Sequence, residues 1–282
     1  MAFKDILLPL VNYPDPMSTD ALDRSVRLCK LLGRSACAFT THVSFPVKDN
    51  RLANMLIGLG DLAREEEQRS LDQAAGLLDR FRASAAEADV MPSQLMVRSE
   101  LYNIADEVAR AARTRDVCVV PFTARTDAQR SVAEAAIFGS GRPVVVCDVS
   151  EAGGVPLRLD RILIAWDGGR AAARAVADAM PVLAAALDVQ ILTIVNEKPT
   201  ATTGLGADVQ RHLASHGVTA SVLEIDAEGA AIGALLERRL AADPRDLVVM
   251  GAFGHSRVRE FVLGGATKSL LDQPPVPILF AH

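Results

Sequence analysis

Asp246-Leu-Val-Val-Met250-Gly251-Ala-Phe-Gly254 and, beyond residues 255–263, Gly264-Gly265-Ala-Thr267 form the stretch that decides the fold of this 282-residue chain. Leu247 to Met250 is an apolar run bounded by a charge and a glycine, the pattern of a parallel strand buried on both faces. A strand running into closely spaced glycines brings backbone N–H groups up to phosphate, because glycine lacks the Cβ that blocks approach. Gly264 and Gly265 fall where a new helix is expected to begin, so free N–H groups and the helix dipole would face the same anion. The same glycines equally serve as permissive positions in tight turns, and both readings stand at this point.

Outward from this strand, the chain repeats itself. Arg245-Asp-Leu-Val-Val-Met250 is matched by Arg115-Asp-Val-Cys-Val-Val120, Arg161-Ile-Leu-Ile-Ala-Trp166 by Asp5-Ile-Leu-Leu-Pro-Leu10, and Pro275-Val-Pro-Ile-Leu-Phe280 by Gly141-Arg-Pro-Val-Val-Val146. Thr193-Ile-Val195 is set against Thr41-His-Val43. Order and spacing agree, so two copies of one unit are expected, 1–150 and 151–282, joined near Glu151-Ala-Gly-Gly-Val-Pro156, which has linker composition. Patterning predicts strands near 4–10, 36–43, 94–98, 116–121 and 143–147, with helices near 18–33, 61–88, 101–113 and 128–138. In the second copy the strands fall near 160–166, 189–195, 219–225, 245–250 and 276–280, and the helices near 169–186, 205–216, 229–242 and 264–272. Such alternation specifies an α/β fold, two tandem Rossmann-like units with parallel sheets covered on both faces. A ligand then belongs beyond the carboxyl ends of the strands, where both glycine pairs lie.

Composition narrows the function. Half the residues are hydrophobic, 23% are charged, and the net charge of −5 comes without a basic block, which argues against nucleic acid as the main partner. Met1-Ala-Phe-Lys-Asp5 leads straight into a strand-like run and carries no long apolar signal core. Asp178, Pro181 and Asp188 interrupt the most apolar window, Ala175 to Val195, so no membrane span is expected. Cys29, Cys37, Cys118 and Cys147 have neither metal nor redox spacing. A soluble protein of the reducing cytoplasm is the expectation. His212 and His216 are four apart on a helix, but with no third ligand they read as a solvated face, and no metal is expected. Arg64-Glu-Glu-Glu-Gln-Arg69 likewise reads as the polar face of a long helix. No Gly-Lys-Ser/Thr follows the glycine loop and no Gly-x-Ser-x-Gly elbow occurs, so neither a P-loop ATPase nor a serine hydrolase is expected, and no residue is assigned as catalytic.

The strand Ile162-Leu-Ile-Ala-Trp166-Asp167-Gly168, together with Val-Val-Met250-Gly251-x-x-Gly254, nine residues, then Gly264, resembles the universal stress protein family. The resemblance implies a five-stranded parallel sheet per unit, the two units paired through their last strands, and an adenine nucleotide at the strand ends. By that resemblance Ala165 and Asp167 line the adenine and ribose side, Ile194 adds apolar contact to the base, and Met250 and Gly251 flank base and ribose. Gly254 and His255 face the phosphates, and Gly264, Gly265 and Thr267 complete the cradle. Asp167 is also a candidate N-cap for the next helix, and His255 a solvent-exposed loop residue. Gly265 stands where the family has Ser or Thr, a loss of about tenfold in affinity if that hydroxyl bonds phosphate. The first unit departs further, with Val11 for the aspartate and Pro121-Phe-Thr-Ala124 for the glycine pair, while Gly139 and Gly141 lack the spacing. One site per chain is therefore expected, for ATP, ADP or AMP with or without Mg2+, in a stress-response regulator acting on an unidentified protein partner. A homodimer of the whole chain is left open. The competing readings are a nucleotide-independent scaffold and a slow ATPase.

Overall fold

A computed structural model describes residues 3–46, 59–123, 126–151, 155–196, 204–252 and 265–282. The first half of the sheet comprises β1 (Ile6–Pro9), β2 (Ser35–Ser44), β3 (Met91–Glu100), β4 (Val117–Phe122) and β5 (Val144–Asp148). Between these strands run α1 (Thr19–Leu32), α2 (Leu59–Glu87), α3 (Ile104–Ala112) and α4 (Asp127–Gly139). The second half comprises β6 (Arg161–Ala165), β7 (Asp188–Val195), β8 (Ala220–Asp226), β9 (Leu247–Gly251) and β10 (Ile278–Ala281). Its helices are α5 (Arg170–Leu183), α6 (Leu205–Ser215), α7 (Ile232–Ala242) and α8 (Gly265–Asp272).

All ten strands form one sheet in the order β3-β2-β1-β4-β5-β10-β9-β6-β7-β8. Every pairing is parallel except the central one, where β5 and β10 run antiparallel with Val145 opposite Leu279. The final apolar run, β10, is thus internal to the sheet, and the two five-stranded halves pair through their last strands as the resemblance implied. β3 and β8 are the edges.

Strand alternation separates the core into two layers. Ile162, Ile164, Val249 and Leu279 face α1, α2, α5 and α6, packing among Leu22, Phe81, Val176 and Leu213. Leu163, Val248, Met250 and Phe280 face α3, α4, α7 and α8, among Val108, Ile137, Leu236 and Leu270. Local signals set the helix starts: Ser18 caps α1 by accepting from Ala21 N at 3.2 Å, and Thr126 caps α4 by accepting from Gln129 N at 3.3 Å.

The repeated Arg-Asp pairs have a structural use at the amino ends of the strands. Asp116 accepts from the backbone N–H groups of Lys4 and Asp5 at 2.8 and 3.1 Å. Asp246 does the same for Asp160 and Arg161 at 2.9 and 2.8 Å. Arg115 pairs with Asp5 at 2.9 Å, and the buried Arg245 with Asp188 at 2.8 Å and with Asp243. Burial alone would push the Asp243 carboxyl up, but hydrogen bonds from Arg245 and Arg161 and the charge of Arg239 override it and hold it at about 2.

Two details correct the sequence reading. Pairing sets Pro9 opposite Phe39 and Ala165 opposite Leu192, so Thr40, not Thr41, is the counterpart of Thr193. Consecutive threonines at 40 and 41 hid a one-residue slip, which in a strand exchanges the two faces. β3 begins at Met91 rather than near 94, because at a sheet edge Pro92 forfeits no necessary ladder hydrogen bond.

Candidate functional site

The carboxyl ends of β6, β7 and β9 lie side by side, with Ala165 opposite both Met250 and Leu192. Ala165, Ile194 and Met250 share one face of the sheet, Met250 buried and the other two half-buried at the rim of the apolar layer. Sequence reasoning missed two neighbours on that rim, Ile225, paired with Ile194, and Ile232 at the start of α7. The alternation of β8 carried the signal for Ile225, whereas only the packing of α7 brings Ile232 in. Together they form a partly buried apolar shelf at the strand ends, a surface suited to the face of a planar ring.

Asp167 stands next to this shelf, exposed, with Oδ1 accepting from Gly169 N at 2.8 Å. The N-cap of α5 is Gly169, so Asp167 is not the cap that its position suggested. Its carboxylate instead closes a turn over Gly168, whose φ of 72° only glycine adopts readily. Oδ2 has no hydrogen bond among the described residues, and the side chain is exposed. Trp166 is half-buried and donates from Nε1 to Leu205 O at 3.1 Å, tying the end of β6 to the first turn of α6. Beyond β7 and β8, Asn196 donates to Asp226 Oδ2 at 2.6 Å and Glu228 N to Oδ1 at 2.9 Å. The backbone N–H of Glu228 and the Asn196 amide hold the Asp226 carboxyl below its ordinary range.

Gly251 has a packing explanation that sequence reasoning did not supply. A Cβ there would lie 2.4 Å from Ala172 N and 2.5 Å from Ala171 C, so the first turn of α5 crosses β9 where only glycine fits. Ala252 continues the sheet by one residue: its N–H donates to Ala281 O at 2.8 Å, and its carbonyl accepts from His282 Nδ1 at 2.9 Å. Gly265 is the first residue of α8, where the second glycine pair was expected to open a helix, and Thr267 is in its first turn. Gly254, His255 and Gly264 lie outside the described residues.

The first half is built differently at the corresponding place. Residues 123–126 connect β4 to α4, whereas residues 252–264 connect β9 to α8. The buried Gln129 side chain closes the short connection, donating to Thr123 Oγ1 at 2.6 Å and accepting from Thr123 N at 3.3 Å. Past β1, the buried Asn12 donates to Thr41 O at 2.7 Å and accepts from Thr41 Oγ1 at 3.1 Å, with Ser70 of α2 alongside. In the first half the strand ends thus carry hydrogen bonds among the protein's own polar groups, Asn12 with Thr41 past β1 and Gln129 with Thr123 past β4. All four cysteines are buried and free, and burial pushes the Cys29 and Cys147 thiols up to about 12. His212 and His216 are exposed and meet ring edge to ring face at 4.8 Å, and no group of three or more metal-ligating side chains occurs among the described residues. Nor, among those residues, is any helix long and apolar enough to cross a membrane.

No family model matches the chain, and no curated protein matches it. Solved structures match over its whole length. A universal stress protein from Archaeoglobus fulgidus DSM 4304 is 14% identical with a TM-score of 0.71, over 99% of this chain and 97% of that one. A functionally unknown protein from Pseudomonas aeruginosa PAO1 is 14% identical with a TM-score of 0.56, over 99% and 92%. A protein from P. aeruginosa UCBPP-PA14 that is named with the universal stress proteins is 15% identical with a TM-score of 0.54, over 99% and 93%. At such identities the likeness concerns the fold, and the fold of this chain is that of the universal stress proteins in tandem.

Proposed function

We propose that this chain, built on the tandem universal-stress-protein fold, is a regulatory member of that family that binds one adenine nucleotide in its second half. The observation that carries the proposal is the asymmetry between two halves of one architecture. The second half keeps an apolar shelf at Ala165, Ile194 and Met250, an exposed Asp167 carboxylate whose Oδ2 has no hydrogen bond among the described residues, and the longer connection over residues 252–264. In the first half, Gln129 bonds to Thr123 across a connection of only residues 123–126, and Asn12 bonds to Thr41 at the strand ends. Adenine would lie on the shelf, the ribose hydroxyls would donate to Asp167, and the phosphates would run toward the glycines and the start of α8. ATP, ADP and AMP share those first two contacts, and ATP with Mg2+ makes the fullest use of the glycine region. Occupancy would favour one arrangement of that region over others, and the changed surface would meet a protein partner in a stress response. A binding and signalling role without catalysis, in the cytoplasm, is the form proposed.

Trp166 is the only tryptophan in the chain and adjoins Asp167, so Mg-ATP can be titrated by intrinsic fluorescence. A saturable response in the parent that is lost in Gly254→Val supports the proposal. ADP and AMP titrations rank the three nucleotides, and a time course of the bound ATP is expected to show no conversion. Silence to millimolar ATP in both fluorescence and calorimetry refutes the nucleotide site and leaves the scaffold reading, which Gly265 already favours by lacking a hydroxyl.

A further inference from the structure

We infer that His282 is a positioning residue for the nucleotide site proposed above, and that through it the siteless first half contributes to the site of the second. The inference rests on that reading. The geometry involves three groups. Ala252 is fully buried and is the residue through which β9 leaves the sheet; its carbonyl accepts from His282 Nδ1 at 2.9 Å. A carbonyl can only accept, so Nδ1 carries the proton in this contact. The other side of the His282 ring meets Phe138 of α4 at 5.1 Å between centroids, with the rings 78° apart. That is the edge-to-face arrangement aromatic pairs favour, and it spans the two halves of the sheet.

α4 makes a second such contact. Arg130 forms an ion pair with Asp272 at the end of α8, while Glu134 of α4 pairs with the same arginine at 3.3 Å. α4 thus braces both elements that flank residues 252–264: β9 through His282 and Ala252, and α8 through Asp272. Gly251 and Met250 immediately precede the braced residue, so its position sets theirs. The helix that follows the short connection of the first half is in this way a strut for the elements that flank the longer one of the second.

Four variants test the inference: His282→Ala, His282→Asn, Phe138→Leu, and Phe138→Leu combined with His282→Ala. In the ligand-free chain, amide exchange at Ala252 reports its pairing with Ala281, and Mg-ATP affinity is measured beside it. His282→Ala is expected to speed exchange and weaken binding by about fivefold each, the size of one hydrogen bond. His282→Asn places an amide N–H where Nδ1 stands and is expected to restore both. Phe138→Leu is expected to give about a threefold effect, which disappears when His282 is already alanine. Unchanged Ala252 exchange in His282→Ala, or no rescue by His282→Asn, overturns the positioning role. Should His282→Ala fail to fold, the Phe138→Leu and His282→Asn results decide. A parent chain that binds no nucleotide overturns the functional reading instead, while the exchange data still decide what His282 does.

Discussion

Gly251→Ala separates the two reasons a glycine can stand at the end of β9. The added methyl carbon would lie 2.4 Å from Ala172 N, 2.5 Å from Ala171 C and 2.8 Å from Ala171 Cβ. Two of these are backbone atoms in the first turn of α5, so no rotamer change relieves them. Reaching an ordinary contact near ~3.5 Å requires α5 to lift by about 1 Å, parting Ala172, Ala175 and Val176 from the strands beneath them. Overpacking that shifts backbone costs about 3 kcal/mol. For a chain of this size that corresponds to a fall in Tm of roughly 6–12 °C, measured by calorimetry or by circular dichroism. Gly206→Ala is the comparison: its Cβ would meet Val222 Cγ1 at 2.5 Å, a side-chain methyl that can turn away, and about 1 kcal/mol is expected. A Gly251→Ala chain melting within about 1 °C of the parent refutes the packing argument. If that same chain also lost Mg-ATP binding, the glycine would be there for the ligand rather than for α5.

Asp243→Asn is expected to destabilise the chain by about 1–3 kcal/mol in urea titration, since it loosens the cluster of Arg161, Arg239 and Arg245 at the amino ends of the strands. The folded Asp243 carboxyl is held at about 2, below the unfolded value near ~3.9, so its contribution is present above about pH 4 and is lost as pH falls toward 2. The difference between parent and Asp243→Asn should therefore shrink across that window, and a constant difference would contradict the assignment. With thiols raised to about 12, Cys29 and Cys147 are ionised in only about one molecule in 10⁴ at pH 8. A disulfide reagent should leave the native thiols untouched and titrate all four once the chain is unfolded in guanidinium; rapid native labelling would place a cysteine at the surface.

Much of this architecture was legible because its signals are local. Strand runs such as Leu247 to Met250 announce burial on both faces, the repeat of Arg115-Asp116 in Arg245-Asp246 announces duplication, and the placement of Gly265 announces a helix start. Pro121-Phe-Thr-Ala124 in place of the glycine pair likewise marked the first half as a departure from the pattern. Thr40 was missed because two adjacent threonines look alike in sequence while register sends them to opposite faces. The alternative of Asp167 as an N-cap does not hold: Asp favours caps, yet its carboxylate reaches Gly169 N two residues on and Gly169 is the cap.

Sequence alone therefore determined the order of strands and helices and their arrangement as two like units. Hydrophobic period and turn chemistry are set by residues a few positions apart. Tertiary structure decided the antiparallel seam of β5 and β10, the closing of the first half by Gln129 and Asn12, the crossing of α5 that demands Gly251, and the hold of His282 on Ala252. Each of these joins groups remote in sequence, or depends on which way a side chain turns once the sheet has packed, and no local pattern encodes either.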